Sequence, residues 1–387
     1  MSINYPKKLA IITTHPIQYY APVFRLLAQQ LDLKVFYTWG EASLSKHDPG
    51  FGKKIKWDID LLDGYKYEWV HNSACDKGSH HYKGIKNPSL ITELEQWQPD
   101  AILVYGWAYH SHLRVIRHFS KKIKLLFRGD STLLDDSNGV KSHLKAVFLR
   151  WVYNHIDIAI YPGQNTMAYF KKYGVEDHRL VFAPHAVENS RFAEDRSVDA
   201  AAIRASLYID NERLMILFAG KFEKKKDPLL LLKAFQQLSQ PNIHLLFVGN
   251  GPLEKELKQH ANCWANIHFL NFQNQSAMPA VYQACDLFCL PSMGPAETWG
   301  LAVNEAMACS KAIIASDKTG CVPDLVVNGR NGFIFKAGDV TSLLEKLNLA
   351  VEQGKMGLTS MGKVSNEMII PWNFEVQAEV IVKQVNG

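Results

Sequence analysis

Two glutamates, Glu297 and Glu305, sit eight residues apart in the stretch ETWGLAVNEAM at 297–307. Carboxylates held near a protein interior are costly unless something pairs with them, so their surroundings decide what they can do. The apolar run DLFCLPS (286–292) reads as a strand, and GLAVNEAMACS (300–310) has helix formers with apolar residues at 301, 303, 306 and 307. MGPAETW is then the loop at the carboxyl end of a strand. The first-turn N–H groups near Gly300, Leu301 and Ala302 have no partner within the helix and favour an anion. Gly300 lets that anion approach the backbone closely. Glu305 lies four residues after Leu301 on the same helical face, and helical side chains lean toward the N-terminus. Its carboxylate can therefore reach beside a bound diphosphate, where a ribose presents paired hydroxyls. Glu297 lies ahead of the helix, on the side where a sugar would sit. The plainer alternative is that Glu305 only complements the helix dipole and Glu297 is solvated.

Two further loops suit the same ligand. LFAGKFEKKKDP (217–228) is a strand followed by a glycine and a basic loop. Lys221 and Lys226 there can neutralise a diphosphate and stabilise it as a leaving group, or can be a solvated run. HLLFVGNGPLEKEL (244–257) places Gly249, Asn250 and Gly251 after a strand, with Pro252 suited to a first helical position. It carries only two of the glycines of the dinucleotide fingerprint. A nucleotide base would rest on main-chain groups of NFQNQ (271–275), near Phe272.

The elements that must position these loops are short, continuous apolar runs between helical patterns. The first series is KLAIIT (8–13), LKVFY (33–37), AILVY (101–105), IKLLF (123–127) and IDIAI (156–160). After about residue 210 the pattern restarts with RLMILFAG (213–220), IHLLFVG (243–249), IHFL (267–270), DLFCLPS, AIIAS (312–316) and GFIF (332–335). Strands buried on both faces and joined by helices predict parallel α/β sheets, and two series predict two of them. The polar stretch 189–213 carries the expected boundary. We expect an N-terminal domain over 1–193, a C-terminal domain over 194–370, and a final helix in 371–387 that packs back on the first. Ligands in such sheets bind at the carboxyl ends of the strands.

With three phosphate- or ribose-suited loops on one sheet, the chain resembles glycosyltransferase family 4. ETWGLAVNE fits that family's E-x7-E motif, and GKFEKKKD fits its G-R/K-x-x-x-x-K-G element. VGNGPLE, MPAVYQACDLFCLPS and GCVPDLVVNGRNGFIF fit the blocks around them, over roughly 213–340. The resemblance implies an α/β GT-B fold, two Rossmann-like domains with parallel sheets facing a central cleft. It implies retaining, metal-independent transfer of a sugar from a nucleotide-sugar, UDP- or GDP-linked, to an acceptor hydroxyl. The C-terminal domain would bind the donor and the N-terminal domain a carbohydrate or lipid-linked saccharide. The setting would be synthesis of cell-surface polysaccharide or glycoconjugate. By the same resemblance Glu305 holds the ribose, Glu297 contacts the sugar, and Lys221 and Lys226 hold the diphosphate, with the amides at 300–302 assisting. Lys221 stands where Arg is frequent in the family and lacks its bidentate fork. Asp227 replaces the family's glycine.

The N-terminal half departs further. Its first strand is followed by His15 and Pro16 instead of a glycine-rich loop, and Tyr105 stands near where relatives carry a histidine, with His110 and His112 just after. Arg128 and Asp130 in FRGDS (127–131) are acceptor or sugar contacts, as is the loop HDPGFGKKIKWDID (47–60). The DID triplet (58–60) and the pair His80–His81 carry no supporting metal pattern, so no metal and no cofactor is expected. The stretch 141–155 reads as an amphipathic helix that faces the core or lies on a membrane surface. A net charge of +5 over 387 residues does not call for nucleic acid. The N-terminus lacks a signal-peptide pattern, and six cysteines without a CxxC pair point to reduced thiols of the cytoplasm. Two rival functions use the same residues: a nucleotide-sugar epimerase, which would need no acceptor, and a non-catalytic sugar-nucleotide-binding scaffold.

Overall fold

The computed structural model describes residues 6–45, 47–48, 53–54, 56–136, 139–238 and 240–387. Part of the loop 47–60, residues 49–52 and 55, thus lies outside the described residues. The chain divides into two compact units. One holds Met1–Lys46, Asp60–His185 and Phe374–Gly387; the other holds His47–Ile59 and Ala186–Asn373. The unit changes between His185 and Ala186, and the polar stretch 189–213 lies wholly in the second.

Numbered along the chain, the strands begin with β1 (Lys8–Thr13), β2 (Asp32–Tyr37), β3 (His47–Asp48), β4 (Lys53–Lys54) and β5 (Lys66–Trp69). They continue with β6 (Ala101–Tyr105), β7 (Lys124–Arg128), β8 (Ile158–Tyr161) and β9 (Leu180–Phe182). The first unit's sheet runs β5-β2-β1-β6-β7-β8-β9 with every pairing parallel. The middles of its central strands are apolar, burying Ala10, Ile12, Ile102, Val104 and Phe127 on one face and Leu9, Ile11 and Leu103 on the other. The terminal helix Phe374–Asn386 packs against the helix Ala21–Ala28 of the same unit.

The second unit contains β10 (Leu214–Ala219), β11 (Ile243–Val248), β12 (Ile267–Leu270), β13 (Leu287–Leu290), β14 (Ala312–Ser316) and β15 (Gly332–Phe335). They form a parallel sheet in the order β12-β11-β10-β13-β14-β15. Connections leave β10 toward β11 and then return to β13 on its other side. That reversal is the topological switch point at which open α/β sheets leave a crevice.

One expectation is corrected. The helix Val140–Tyr153 seats Leu149, Val152 and Tyr153 in the core, whereas Leu144 and Val147 are 68% and 65% exposed and Phe148 and Trp151 are 38% exposed. The apolar stripe that suggested a core-facing helix is rotated away from the core, which takes only its inner edge. Among the described residues no helix is long and apolar enough to cross a membrane. None of the six cysteines is in a disulfide: Cys75 and Cys263 are exposed, and Cys285, Cys289, Cys309 and Cys321 are buried.

Candidate functional site

The loops after β10 and β13 meet across the second unit's switch point. Lys226 Nζ lies 2.5 Å from Glu297 Oε2, and Ser292 Oγ donates to the same oxygen at 3.0 Å. The backbone joins the loops as well, with Met293 N donating to Lys225 O at 2.9 Å. Glu297 is 7% exposed, so its charge is balanced by a neighbouring cation and a hydroxyl rather than by water. Lys221 follows Gly220 in the same basic loop and is half-buried.

Asp227 closes that loop in the left-handed conformation, at φ +47°, and caps the helix Pro228–Gln237 by accepting from Leu230 N. Asn and Asp tolerate this region better than other non-glycine residues, and Asp is also a favoured N-cap. The departure from the family's glycine is therefore compatible with the turn it replaces.

The helix Leu301–Ala308 starts at Gly300, φ +97°. A Cβ there would lie 2.7 Å from Thr319 Cγ2, so both conformation and space call for glycine. Trp299, 4% exposed, anchors the turn: its Nε1 donates to Asn304 Oδ1 at 2.9 Å, and its ring lies 5.4 Å from that of Trp372. The turn before β14's following helix clasps the same loop, since Gly320 N donates to Glu297 O at 3.1 Å and Cys321 N to Trp299 O at 2.9 Å. Glu305 is 4% exposed and accepts from Tyr282 Oη at 2.8 Å. A helix-dipole role near solvent does not suit it, because a phenol from another helix holds the carboxylate in place.

Gly249 and Gly251 serve the backbone. A Cβ at Gly249 would lie 2.0 Å from Gly220 O, and one at Gly251 2.6 Å from Phe222 O. The two loops are stitched at this approach by Phe222 N to Asn250 O at 3.0 Å and Leu253 N to Phe222 O at 2.9 Å. Asn250 reaches onward, accepting from Phe272 N at 2.9 Å and donating to Asn271 Oδ1 at 3.1 Å. Phe272 in turn meets Trp57, ring centroids 6.3 Å apart, while Asp58 accepts from Ser276 N at 3.2 Å and Asn274 Nδ2 donates to Lys56 O at 2.8 Å. The segment 56–58 thus docks on the 271–276 loop. The carboxylates of the DID triplet both cap backbone, Asp60 accepting from Leu62 N at 2.9 Å.

In the first unit the remaining candidates gather near the carboxyl ends of β1, β6 and β7, with its own switch point between β1 and β6. His15 Nδ1 is 2.8 Å from Thr14 Oγ1 and its ring meets Trp39 edge-on; Pro16 is buried. Tyr105 packs against Tyr20 at 4.7 Å, and burial pushes its hydroxyl up to about 12. His110 is half-buried against Tyr82, and burial lowers its pKa. His112 is fully buried, between Thr38 Oγ1 at 2.8 Å and the carbonyls of Tyr105 and Gly106 at 3.1 and 3.0 Å. Those carbonyls require a proton on Nδ1, and burial pushes the pKa down to about 4, so the ring is a neutral core histidine. Arg128 is 3% exposed and donates to Ala183 O at 3.1 Å and Pro184 O at 3.2 Å, pinning the chain after β9. Asp130, two residues on, is exposed.

The sequence did not single out Tyr282, Ser292, Trp57 or Gly320, although each lies in a stretch that it marked. Tyr282, Trp57 and Gly320 meet partners on other segments, which spacing within one stretch does not reveal. A separate cavity of about 620 Å³ opens at the amino ends of β13 and β14, lined by Arg204, Asp286 and Lys311 among others. Its cations are engaged by the protein, Arg204 with Ala284 O at 2.8 Å and Lys311 with Gln283 O at 3.3 Å, so it does not compete with the loops above as an anion site.

Comparison with known proteins bears on the second unit and on the fold. Residues 199–362, all within the second unit, match the family described as Glycosyl transferases group 1. The chain is 26% identical over 211 residues to the D-inositol 3-phosphate glycosyltransferase of Segniliparus rotundus, covering 50% of this chain and 46% of that protein. It thus spans less than half of that relative's length. Among solved structures, Anabaena Alr3699/HepE in complex with UDP superposes with a TM-score of 0.73 at 17% identity, covering 98% of this chain and 99% of that one. The sucrose-phosphate synthase of Thermosynechococcus elongatus gives a TM-score of 0.74 at 16% identity, covering 97% and 98%. The fold is GT-B. In this GT-B chain the family match falls on the unit that carries both glutamates and both lysines.

Proposed function

We propose that the chain is a retaining, metal-independent glycosyltransferase of family 4 type that moves a sugar from a UDP- or GDP-sugar to an acceptor hydroxyl. The observation that carries this reading is the convergence of Lys226 and Glu297 at the switch between β10 and β13, with Glu305 on the helix that follows. The diphosphate would lie at the first turn of Leu301–Ala308, with the base beside Asn250, Gly251 and Phe272. Glu305, oriented by Tyr282, would accept from the ribose hydroxyls, and Glu297 from the sugar. As the bond from the anomeric carbon to the diphosphate breaks, the acceptor oxygen takes its place on the same face and its proton passes to the departing diphosphate oxygen. Lys221 and Lys226 would hold the charge that builds on the leaving group, the task a metal ion performs elsewhere. The names of the relatives, a D-inositol 3-phosphate glycosyltransferase among them, support a role in polysaccharide or glycoconjugate synthesis.

The exposed stripe Leu144, Val147, Phe148 and Trp151 supports a second part of the reading, peripheral contact with a membrane that presents a lipid-linked acceptor. Thermal-shift measurements against UDP-, GDP- and ADP-sugars test the donor, because a ligand that binds only the folded state raises its stability. A UDP- or GDP-sugar should give a saturable rise, and mass spectrometry should then find its sugar on an acceptor. Stabilisation by none of the three, or release of an epimer with no acceptor present, would refute the proposal.

A further inference from the structure

Residues 72–87 form a loop of the first unit whose backbone is held from within. Asn72, 3% exposed, donates to Gly84 O at 2.9 Å and accepts from Ala74 N at 3.1 Å and Lys86 N at 3.0 Å. Ser73 N donates to Lys86 O at 2.8 Å, and Gly78 N to Gly84 O at 3.1 Å. The crossing at Gly78 and Gly84 admits no side chain, since a Cβ on Gly84 would lie 2.2 Å from Gly78 O. The loop is also fastened to the start of the helix His110–Phe119, through Tyr109 Oη to Ser79 O at 3.1 Å and Asn87 N to Ser111 Oγ at 2.7 Å.

This closure brings Asp76 up to the adjacent histidines that the sequence left without a carboxylate partner. His80 Nε2 and His81 Nε2 each lie 3.1 Å from Asp76 Oδ2, and the ligand atoms of the three residues are all within 4.8 Å of one another. We propose that Asp76, His80 and His81 form a binding site for a divalent transition-metal ion, zinc in the first instance.

The donor set decides the class of ion. Two imidazole nitrogens suit zinc and its neighbours in the transition series, while magnesium and calcium take oxygen ligands. Tetrahedral zinc with ligands at roughly 2.0–2.2 Å sets adjacent donor atoms roughly 3.3–3.5 Å apart. The present 3.1 Å separations are near that edge, so an ion enters with small side-chain movements. Each imidazole binds through the Nε2 lone pair. The proton now shared with the carboxylate moves to Nδ1, and any second proton goes to solvent. The three side chains are exposed or half-buried, which leaves the fourth position to water. None of them is a candidate for holding donor. The ion's task is to staple the loop, and with it the start of the helix that the loop grips.

The test uses the full chain, freed of any histidine tag and stripped with a chelator. Zinc chloride is followed by calorimetry and by thermal unfolding, and cobalt(II) by its visible absorption. One zinc ion per chain, a rise in melting temperature and a tetrahedral cobalt spectrum are expected. Asp76→Ala, His80→Ala and His81→Ala should each weaken zinc binding about tenfold or more while leaving far-ultraviolet circular dichroism unchanged. Cys75→Ser should bind as the parent does. No saturable zinc binding, or binding that the three variants leave unchanged, overturns the proposal. Loss of binding in Cys75→Ser, or magnesium bound as tightly as zinc, overturns the assigned ligand set.

Discussion

Lys226 and Glu297 depend on each other in the absence of substrate, so substitution at either has two effects. Removing the amine strips the leaving group of a cation and also takes the ion pair from Glu297, 7% exposed. We expect Lys226→Ala to lower turnover by roughly 10²–10³-fold, the scale for losing one electrostatic contact to a transition state. Turnover near the parental rate in a folded Lys226→Ala protein would remove Lys226 from the proposed chemistry. Glu305 needs a gentler probe. Glu305→Ala would break the buried Tyr282 Oη hydrogen bond, a loss of stability unrelated to donor binding. Tyr282→Phe instead removes this one hydrogen bond from the carboxylate while keeping the ring in place. Measured donor KM should rise severalfold with kcat little changed; an equal fall in kcat would contradict a positioning role. The glutamates and lysines were legible because their types and spacing lie on single loops. Tyr282 was not singled out, although its stretch was marked, because it meets Glu305 from a helix 23 residues earlier.

At the scale of elements, five strands could be read directly from the sequence, central and edge alike: β1, β6, β12, β14 and β15 have the bounds of their apolar runs. The strands β5 and β9 could not. They are the two edges of their sheet: KYEW is interrupted by two charged residues, and LVF is apolar but only three residues long, too short to mark a strand by itself. The facing of the helix Val140–Tyr153 stayed open for a related reason. Periodicity locates an apolar stripe but does not say which neighbour, protein or solvent, it faces. If a bilayer takes the stripe, a Leu144→Ser/Val147→Ser variant should lose binding to anionic vesicles in a flotation assay and keep its melting temperature. Equal flotation of parent and variant would exclude this face. Gly320 belongs to the same scale, since it joins two loops. Its Cβ would lie 1.8 Å from Thr298 O, so Gly320→Ala should displace the Glu297 loop. Lower melting temperature and weaker nucleotide-sugar binding together are expected; an unchanged donor dissociation constant would show that the two loops are not coupled.

Over the whole molecule, buried neutral histidines make stability depend on pH. Burial holds His112 at about 4 and His185 well below its ordinary value in the first unit; in the second, His244 is at about 4 and His268 is lowered. The unfolded chain takes up protons near pH 6.5 and the folded one does not, so their contribution is complete above that pH and is lost as pH falls toward 4. For His112 alone the loss is roughly 3 kcal/mol across that window. Urea unfolding should show a clear drop in stability from pH 7.5 to pH 5; a flat profile would mean these rings are solvated. The distribution of thiols has a practical use at this scale. Burial pushes Cys285, Cys289, Cys309 and Cys321 up, away from the reactive thiolate, while Cys75 and Cys263 are exposed, one in each unit. A maleimide dye pair attached to the unmodified chain would therefore place one fluorophore on each unit. Energy transfer between them would follow their separation in solution as donor and acceptor sugars are added, with no residue engineered.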